Sequence, residues 1–251
     1  MSQYVLSGYL SVTPETLKSA LEDRSNSGFL VQGMGPMALY GEAKIGRLLF
    51  AHGAGAGQHS PYMRQFVTSL AGRGIQVACI DFPYMQQMQE TGKRRPPPPI
   101  AQTLAQFAEW YSLLSDLFPE PLWVGGKSMG GRVATLLASQ QTCPGVIVAG
   151  YPFHPTKSPD KPRLGHWPAI DCPMLILQGE RDPFGTREEV AGYTLPANAQ
   201  LAWLKDGDHD FKPRRSSGLT QTVLIDEATQ VAASFVRAHS QGLVEESNAL
   251  V

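Results

Sequence analysis

Short apolar, often β-branched runs recur along the chain, and stretches of helical periodicity lie between them. The runs fall at 48–51, 76–80, 121–125, 145–149, 174–178 and 201–204. Little polar–apolar alternation interrupts them, so both faces of each strand must be covered. Between them, residues 60–72, 100–118, 129–139 and 219–239 carry the spacing of amphipathic helices. Strands separated by helices predict an α/β fold with a mostly parallel sheet and helices on both faces. Right-handed crossovers then put every strand-to-helix loop at the carboxyl edge of the sheet. Chemistry is expected on loops that follow strands.

A chain of 251 residues buries about 70% of its unfolded surface on folding, enough for a full core without staples. Apolar residues make up 42% and charged residues 17%, which excludes a disordered chain. The net charge of −1 leaves no basic surplus for phosphates, so no nucleic acid is expected as partner. No apolar run is long enough for a membrane span. The first residues lack a basic start and an apolar signal core. Cys79, Cys143 and Cys172 are scattered, without a C-x-x-C pair. These features predict a reduced cytoplasmic protein without zinc.

Residues 126–130 read Gly-Lys-Ser-Met-Gly, a G-x-S-x-G between a strand and a helix. Flanking glycines let strand and helix approach closely, and the sharp turn exposes the hydroxyl of Ser128 beside a helix N-terminus. A phosphate-binding loop would need glycine at position 121, which is Pro121. A dinucleotide fingerprint starting at Gly53 or Gly55 would need glycine at 58 or 60, where Gln58 and Ser60 stand. Asp81, at the end of the next strand, is the one residue that favours a ribose site. A nucleophilic serine needs a base and an orienting acid, later in the chain for this architecture. Asp182 follows the strand at 174–178 on an Asp-Pro turn, and His209 follows the strand at 201–204 on a Gly-containing loop. Glu180 competes for the acid role from a position nearer the strand. Asp206, Asp208 and Asp210 suggest calcium, but an EF-hand loop would need glycine at 211 and glutamate at 217. Phe211 and Ser217 occupy those places, so no metal is expected.

On these residues the chain resembles an α/β-hydrolase from about residue 29 to 239. His52-Gly53-Ala54-Gly55-Ala56 is similar to the family's oxyanion loop. Residues 126–132 (Gly-Lys-Ser-Met-Gly-Gly-Arg) and 178–185 (Gln-Gly-Glu-Arg-Asp-Pro-Phe-Gly) resemble a compact, cap-less branch. That branch includes dienelactone-hydrolase-like proteins, bacterial proteins of unassigned substrate and the hydrolase-like subunit of an NSL-type chromatin complex. The resemblance implies a three-layer fold around an eight-strand-type twisted sheet. It also implies a triad of Ser128, His209 and Asp182, an oxyanion hole from the amides of Ala54 and Met129 with Gly55 as alternative donor, and no cofactor. His52 is expected to pin the oxyanion loop rather than to act in chemistry. Only the Pro-rich residues 150–173 lie where relatives insert a lid, so no large lid and an open, shallow pocket are expected.

Gly55, Lys127, Tyr84, Tyr151 and Phe153 are expected to bind substrate, because each lies on or next to a strand-end loop. Lys93, Arg94 and Arg95 precede four prolines, 96–99. This tract reads as a stiff solvated loop, with steering of an anionic substrate or an adaptor ligand as alternatives. Residues 1–28 read as an N-terminal strand or helix extension, with Thr13 capping a helix that opens at Pro14 and runs to about Asp23. Residues 29–240 form the main domain, and 241–251 read as a frayed tail. The function expected is a carboxylesterase-like serine hydrolase acting on a small-molecule acyl substrate. Acyl transfer or peptidase chemistry with the same residues, and a catalytically silent scaffold, are the alternatives.

Overall fold

The computed structural model describes residues 8–23, 25 and 27–248, those from 241 by backbone alone. Residues 1–7 and 249–251, the outermost parts of the expected extension and tail, lie outside the described residues. Among the described residues, nine strands form a single sheet in the order β1-β2-β3-β5-β4-β6-β7-β8-β9. They are β1 (Leu10–Val12), β2 (Gly28–Val31), β3 (Gly35–Tyr40), β4 (Gly46–Ala51), β5 (Ile75–Ile80), β6 (Leu122–Lys127), β7 (Val146–Ala149), β8 (Met174–Gly179) and β9 (Ala199–Leu204). Only β3 runs against its neighbours; every other pairing is parallel.

The central strands show why their sequence lacks alternation. Leu49 and Ala51 of β4 face one core, and Leu48 and Phe50 face the other. In β8, Met174 and Ile176 turn one way, and Leu175 and Leu177 the other. The period of two is intact, but both faces are apolar because both are covered. Helices α1 (Leu17–Glu22), α4 (Ile100–Leu117) and α5 (Met129–Ala138) contribute to the first core. Helices α2 (Pro61–Gly72) and α7 (Gln221–Asn248) close the second. Short helices α3 (Pro83–Thr91) and α6 (Arg187–Val190) sit on loops at the carboxyl edge.

The sheet has one more strand than the resemblance implied, and β1, β2 and β3 have no counterpart among the predicted runs. They are short, and β3 opens on Gly35 and Pro36, which mask a strand signal. The edge strand β1 pairs in parallel with β2 through Leu10, Ser11 and Val12. Helix α1 starts at Leu17, not Pro14, because Thr13 and Thr16 close a turn first: Thr13 O accepts from the amides of Thr16 and Leu17 at 3.2 and 3.0 Å. Helix α7 continues to Asn248, beyond the expected end near His239. Residues 150–173 carry only a one-turn 3-10 helix at Trp167–Ala169; no lid domain is inserted there. Among the described residues, no helix is long and apolar enough to cross a membrane.

The chain leaves β4 toward β5 on one side and returns at β6 on the other. Loops after β4 and β6 therefore diverge, and a crevice opens between them at the carboxyl edge.

Candidate active site

Ser128 occupies that crevice. It follows β6 directly and caps α5 with φ 53° and ψ −114°, a backbone conformation that costs a non-glycine residue about 1–3 kcal/mol. Its neighbours explain how the turn closes. A Cβ on Gly126 would lie 2.6 Å from the amide of Gly131, and one on Gly130 would lie 2.6 Å from the carbonyl of His52. Strand, helix and the preceding loop are thus packed backbone against backbone, which only glycine permits. The amide of Met129, the first residue of α5, has no intrahelical acceptor and faces the end of the helix where anions are favoured.

The base arrives from the loop after β9. His209 Nε2 lies 2.8 Å from Ser128 Oγ, and Nδ1 lies 2.7 Å from Asp182 Oδ2. Asp182 is fully buried. It also accepts from Gln178 Nε2 at 2.9 Å and from the amide of Phe184 at 2.9 Å. These bonds leave its carboxylate supplied with donors and fix which face it shows to the imidazole. The ring of Phe184 packs on His209 with centroids 4.6 Å apart. Glu180 is engaged elsewhere, accepting from the amide of Asp206 and from Arg187. Ser128, His209 and Asp182 are therefore brought into one line, and Glu180 is left out of it.

The loop after β4 forms the opposite wall. His52 is fully buried; its Nδ1 donates to Gly53 O at 2.6 Å and its Nε2 accepts from the amide of Phe82 at 3.1 Å. Both ring nitrogens are used, so the imidazole fixes the loop and takes no part at the serine. Burial pushes its pKa down, against the attraction of Asp81. Asp81, also buried, accepts from the amide of Gln58 at 2.7 Å and from Gln89 Nε2 at 3.1 Å. It anchors the loop, which is a structural account of the residue that had suggested a ribose site.

A cleft of about 520 Å³ opens over the serine, lined by Gly53, Ala54, Gly55, Tyr62, Met63, Lys127, Ser128, Phe184, His209 and Asp210 among others. Ala54, Gly55 and Lys127 thus line this cleft. Tyr84 does not wall the cleft: its hydroxyl donates to the carbonyl of Ala54 at 3.0 Å and braces the loop from behind. Tyr151 and Phe153 differ further, for both are fully buried. The hydroxyl of Tyr151 donates to Arg163 O at 2.7 Å and its ring packs on Trp167, because the later part of the same 150–173 segment folds back over them. Tyr62 and Met63 were missed: they lie in the first turn of α2, whose N-terminus also points to the carboxyl edge. Phe184 and Gln178 lie within residues 178–185, where nothing in the sequence pattern points to their contacts with His209 and Asp182.

Lys127 is buried, with its ammonium 3.2 Å from Asp210 Oδ1 and over the ring of Tyr62. Burial lowers its pKa, against the attraction of Asp210 and Asp182. The three aspartates of the histidine loop have separate partners. Asp206 pairs with Arg181 and Arg214, Asp208 accepts from the amides of Asp210 and Lys212, and Asp210 takes Lys127. Among the described residues, no cluster of three potential ligands suits a metal ion.

A family model described as an alpha/beta hydrolase domain matches residues 44–237. The chain belongs to the α/β-hydrolase family. Its fold is similar to dienelactone hydrolase from Anabaena variabilis, with 20% identity over 82% of this chain and 93% of that one and a TM-score of 0.61. A serine hydrolase homologue from Coxiella burnetii shares 15% identity over 81% of this chain and 95% of its own, with a TM-score of 0.59. A serine hydrolase without a lid from Xanthomonas campestris shares 18% identity over 79% and 88%, with a TM-score of 0.53. No curated protein matches the sequence significantly.

Proposed function

We propose that this α/β-hydrolase is a carboxylesterase-like serine hydrolase that cleaves an ester or related acyl bond of a small molecule. One observation carries the reading: Ser128 Oγ, His209 and Asp182 form an unbroken hydrogen-bonded line, with distances of 2.8 and 2.7 Å, at the floor of an open cleft.

In this reading His209 Nε2 takes the serine proton as Oγ attacks the carbonyl carbon. Asp182 holds the Nδ1–H tautomer and stabilises the imidazolium. The carbonyl oxygen becomes an oxyanion between the amides of Ala54 and Met129. The tetrahedral intermediate collapses, the alcohol leaves with the proton from Nε2, and the acyl group stays on Ser128. Water, deprotonated by His209, then releases the acid. No step needs a cofactor. Without a lid, the cleft suits short acyl groups or esters exposed on a larger molecule. The unpaired thiols fit a reducing cytoplasm; burial pushes Cys143 up to about 12 and Cys172 up to about 11, so they stay protonated.

Hydrolysis of p-nitrophenyl acetate and butyrate tests the proposal. Ser128→Ala is expected to lower turnover by about four to six orders of magnitude. A fluorophosphonate should label Ser128 in the wild type and lose its reactivity in His209→Ala. Equal rates for wild type and Ser128→Ala would refute the assignment, and an unlabelled wild type would favour a silent scaffold.

A further inference from the structure

Lys127 immediately precedes the serine, and Asp210 immediately follows the histidine. Their ion pair, 3.2 Å long, therefore runs beside the Ser128–His209 hydrogen bond and joins the same two loops. Its ends are unlike. The Lys127 side chain is 6% exposed and that of Asp210 62% exposed. Among the described residues, Asp210 is the only carboxylate within 4 Å of the ammonium. Burying an ammonium at the end of a central strand is costly, and an apolar side chain would fill the space with less desolvation. Folding alone gives no reason for a lysine here.

The ammonium is also close to the base. A Cβ placed on Gly150 would lie 3.2 Å from Lys127 Nζ and 3.3 Å from His209 Nδ1, so the two nitrogens are neighbours across that glycine. Other charged and titratable groups face the imidazole or its loop: Arg181 donates to the carbonyls of Asp206 and Lys212, and Arg214 pairs with Asp206. Asp182 binds Nδ1, and Ser128 meets Nε2. Tyr62, from α2, has a buried hydroxyl whose proton is held by burial. Asp208 is occupied by the amides of Asp210 and Lys212 at 2.9 Å. Asp210 faces Lys127. With both partners present, the charges of the pair offset each other at His209. With one removed, the remaining charge acts on the imidazolium alone.

We propose that Lys127 and Asp210 are positioning residues, a charge-neutral brace that holds the histidine loop against the nucleophile elbow. The proposal rests on the serine-hydrolase reading and adds to it a role for two residues outside the triad. The loop keeps other attachments, including Gln221 Nε2 donating to Asp210 O at 2.8 Å, so loss of the brace loosens the site and leaves the fold standing.

The test compares Lys127→Met, Asp210→Asn and the double variant, by kcat, KM and the acid limb of kcat/KM. Each single variant is expected to lose about tenfold in kcat with little change in KM. Their acid limbs should move in opposite directions, by about half to one pH unit. Asp210→Asn leaves an uncompensated ammonium that disfavours imidazolium, so its limb moves to lower pH. Lys127→Met leaves an uncompensated carboxylate, so its limb moves to higher pH. The double variant should return to the wild-type position while staying slow. Limbs that do not move, or move the same way, overturn the brace, as do wild-type kcat values in both single variants. An NMR titration of the His209 ring reads the same opposite shifts without turnover. A wild type that is inert to substrate and probe sinks the esterase reading. A wild type that labels and turns over, with no opposite shifts in its variants, sinks the brace alone.

Discussion

Gln178 shows how much of a site can hang on one uncharged side chain. It is buried at the end of β8, and its amide donates to Asp182 at 2.9 Å and to the carbonyls of Tyr151 and Gly185 at 3.2 and 3.3 Å. Its oxygen accepts from the amide of Tyr151 at 2.7 Å. One residue thereby joins the acid loop to the loop after β7. Gln178→Met keeps the volume and removes all four bonds, leaving the amide of Tyr151 without an acceptor. Urea unfolding should show a loss of about 1–3 kcal/mol. Turnover should fall about tenfold as Asp182 loses its fixed orientation. Wild-type values in both assays would show that the carboxylate is held without it. Ser128, Asp182 and His209 were legible because each residue type has few other reasons to stand after a strand in that order. Gln178 was not, since a glutamine on a strand announces nothing until its partners are known.

At the scale of elements, α6 is too short to persist by propensity. Local capping holds it: Thr186 Oγ1 accepts from the amide of Glu189 at 3.3 Å, while Glu189 Oε2 accepts from the amide of Thr186 at 2.9 Å. The same carboxylate lies 3.3 Å from Nε2 of the buried His154. This turn follows Asp182 directly, so the cap steadies the acid loop. Thr186→Ala should cost about 1 kcal/mol in urea unfolding, and an unchanged midpoint would show that packing of Val190 alone holds the turn. The long buried strands and amphipathic helices were readable from period and length. The turns of α3 and α6, and the strands β1 to β3, were not: their residues are few, and neighbours rather than pattern hold them.

The whole molecule carries histidines that burial keeps neutral. Desolvation, assisted by Arg132, lowers His166 to about 4, and desolvation lowers His52 although Asp81 opposes it. The unfolded chain, with ordinary histidines near 6.5, binds more protons than the folded one between those values. Stability is therefore complete above about pH 6.5 and is lost progressively as pH falls toward 4. Urea midpoints should drop from pH 7.5 to pH 4.5, and His166→Gln should flatten part of that slope. A variant with the wild-type slope would remove His166 from the account. The basic tract at 93–95 and the prolines after it are exposed for the most part, as a stiff solvated loop requires.

Sequence alone determined the layered architecture, because covered strands must be apolar on both faces and crossovers have one hand. It determined the serine turn as well, since glycines on both sides are needed wherever backbones touch. Tertiary structure decided which loop residues reach the cleft. Asp210 enters it, as does Tyr62 from the first turn of α2, while Tyr151 and Phe153 are buried under Trp167 of their own segment. The reason is distance along the chain: partners such as Lys127 and Asp210 become neighbours only after the sheet has set the spacing of its strands.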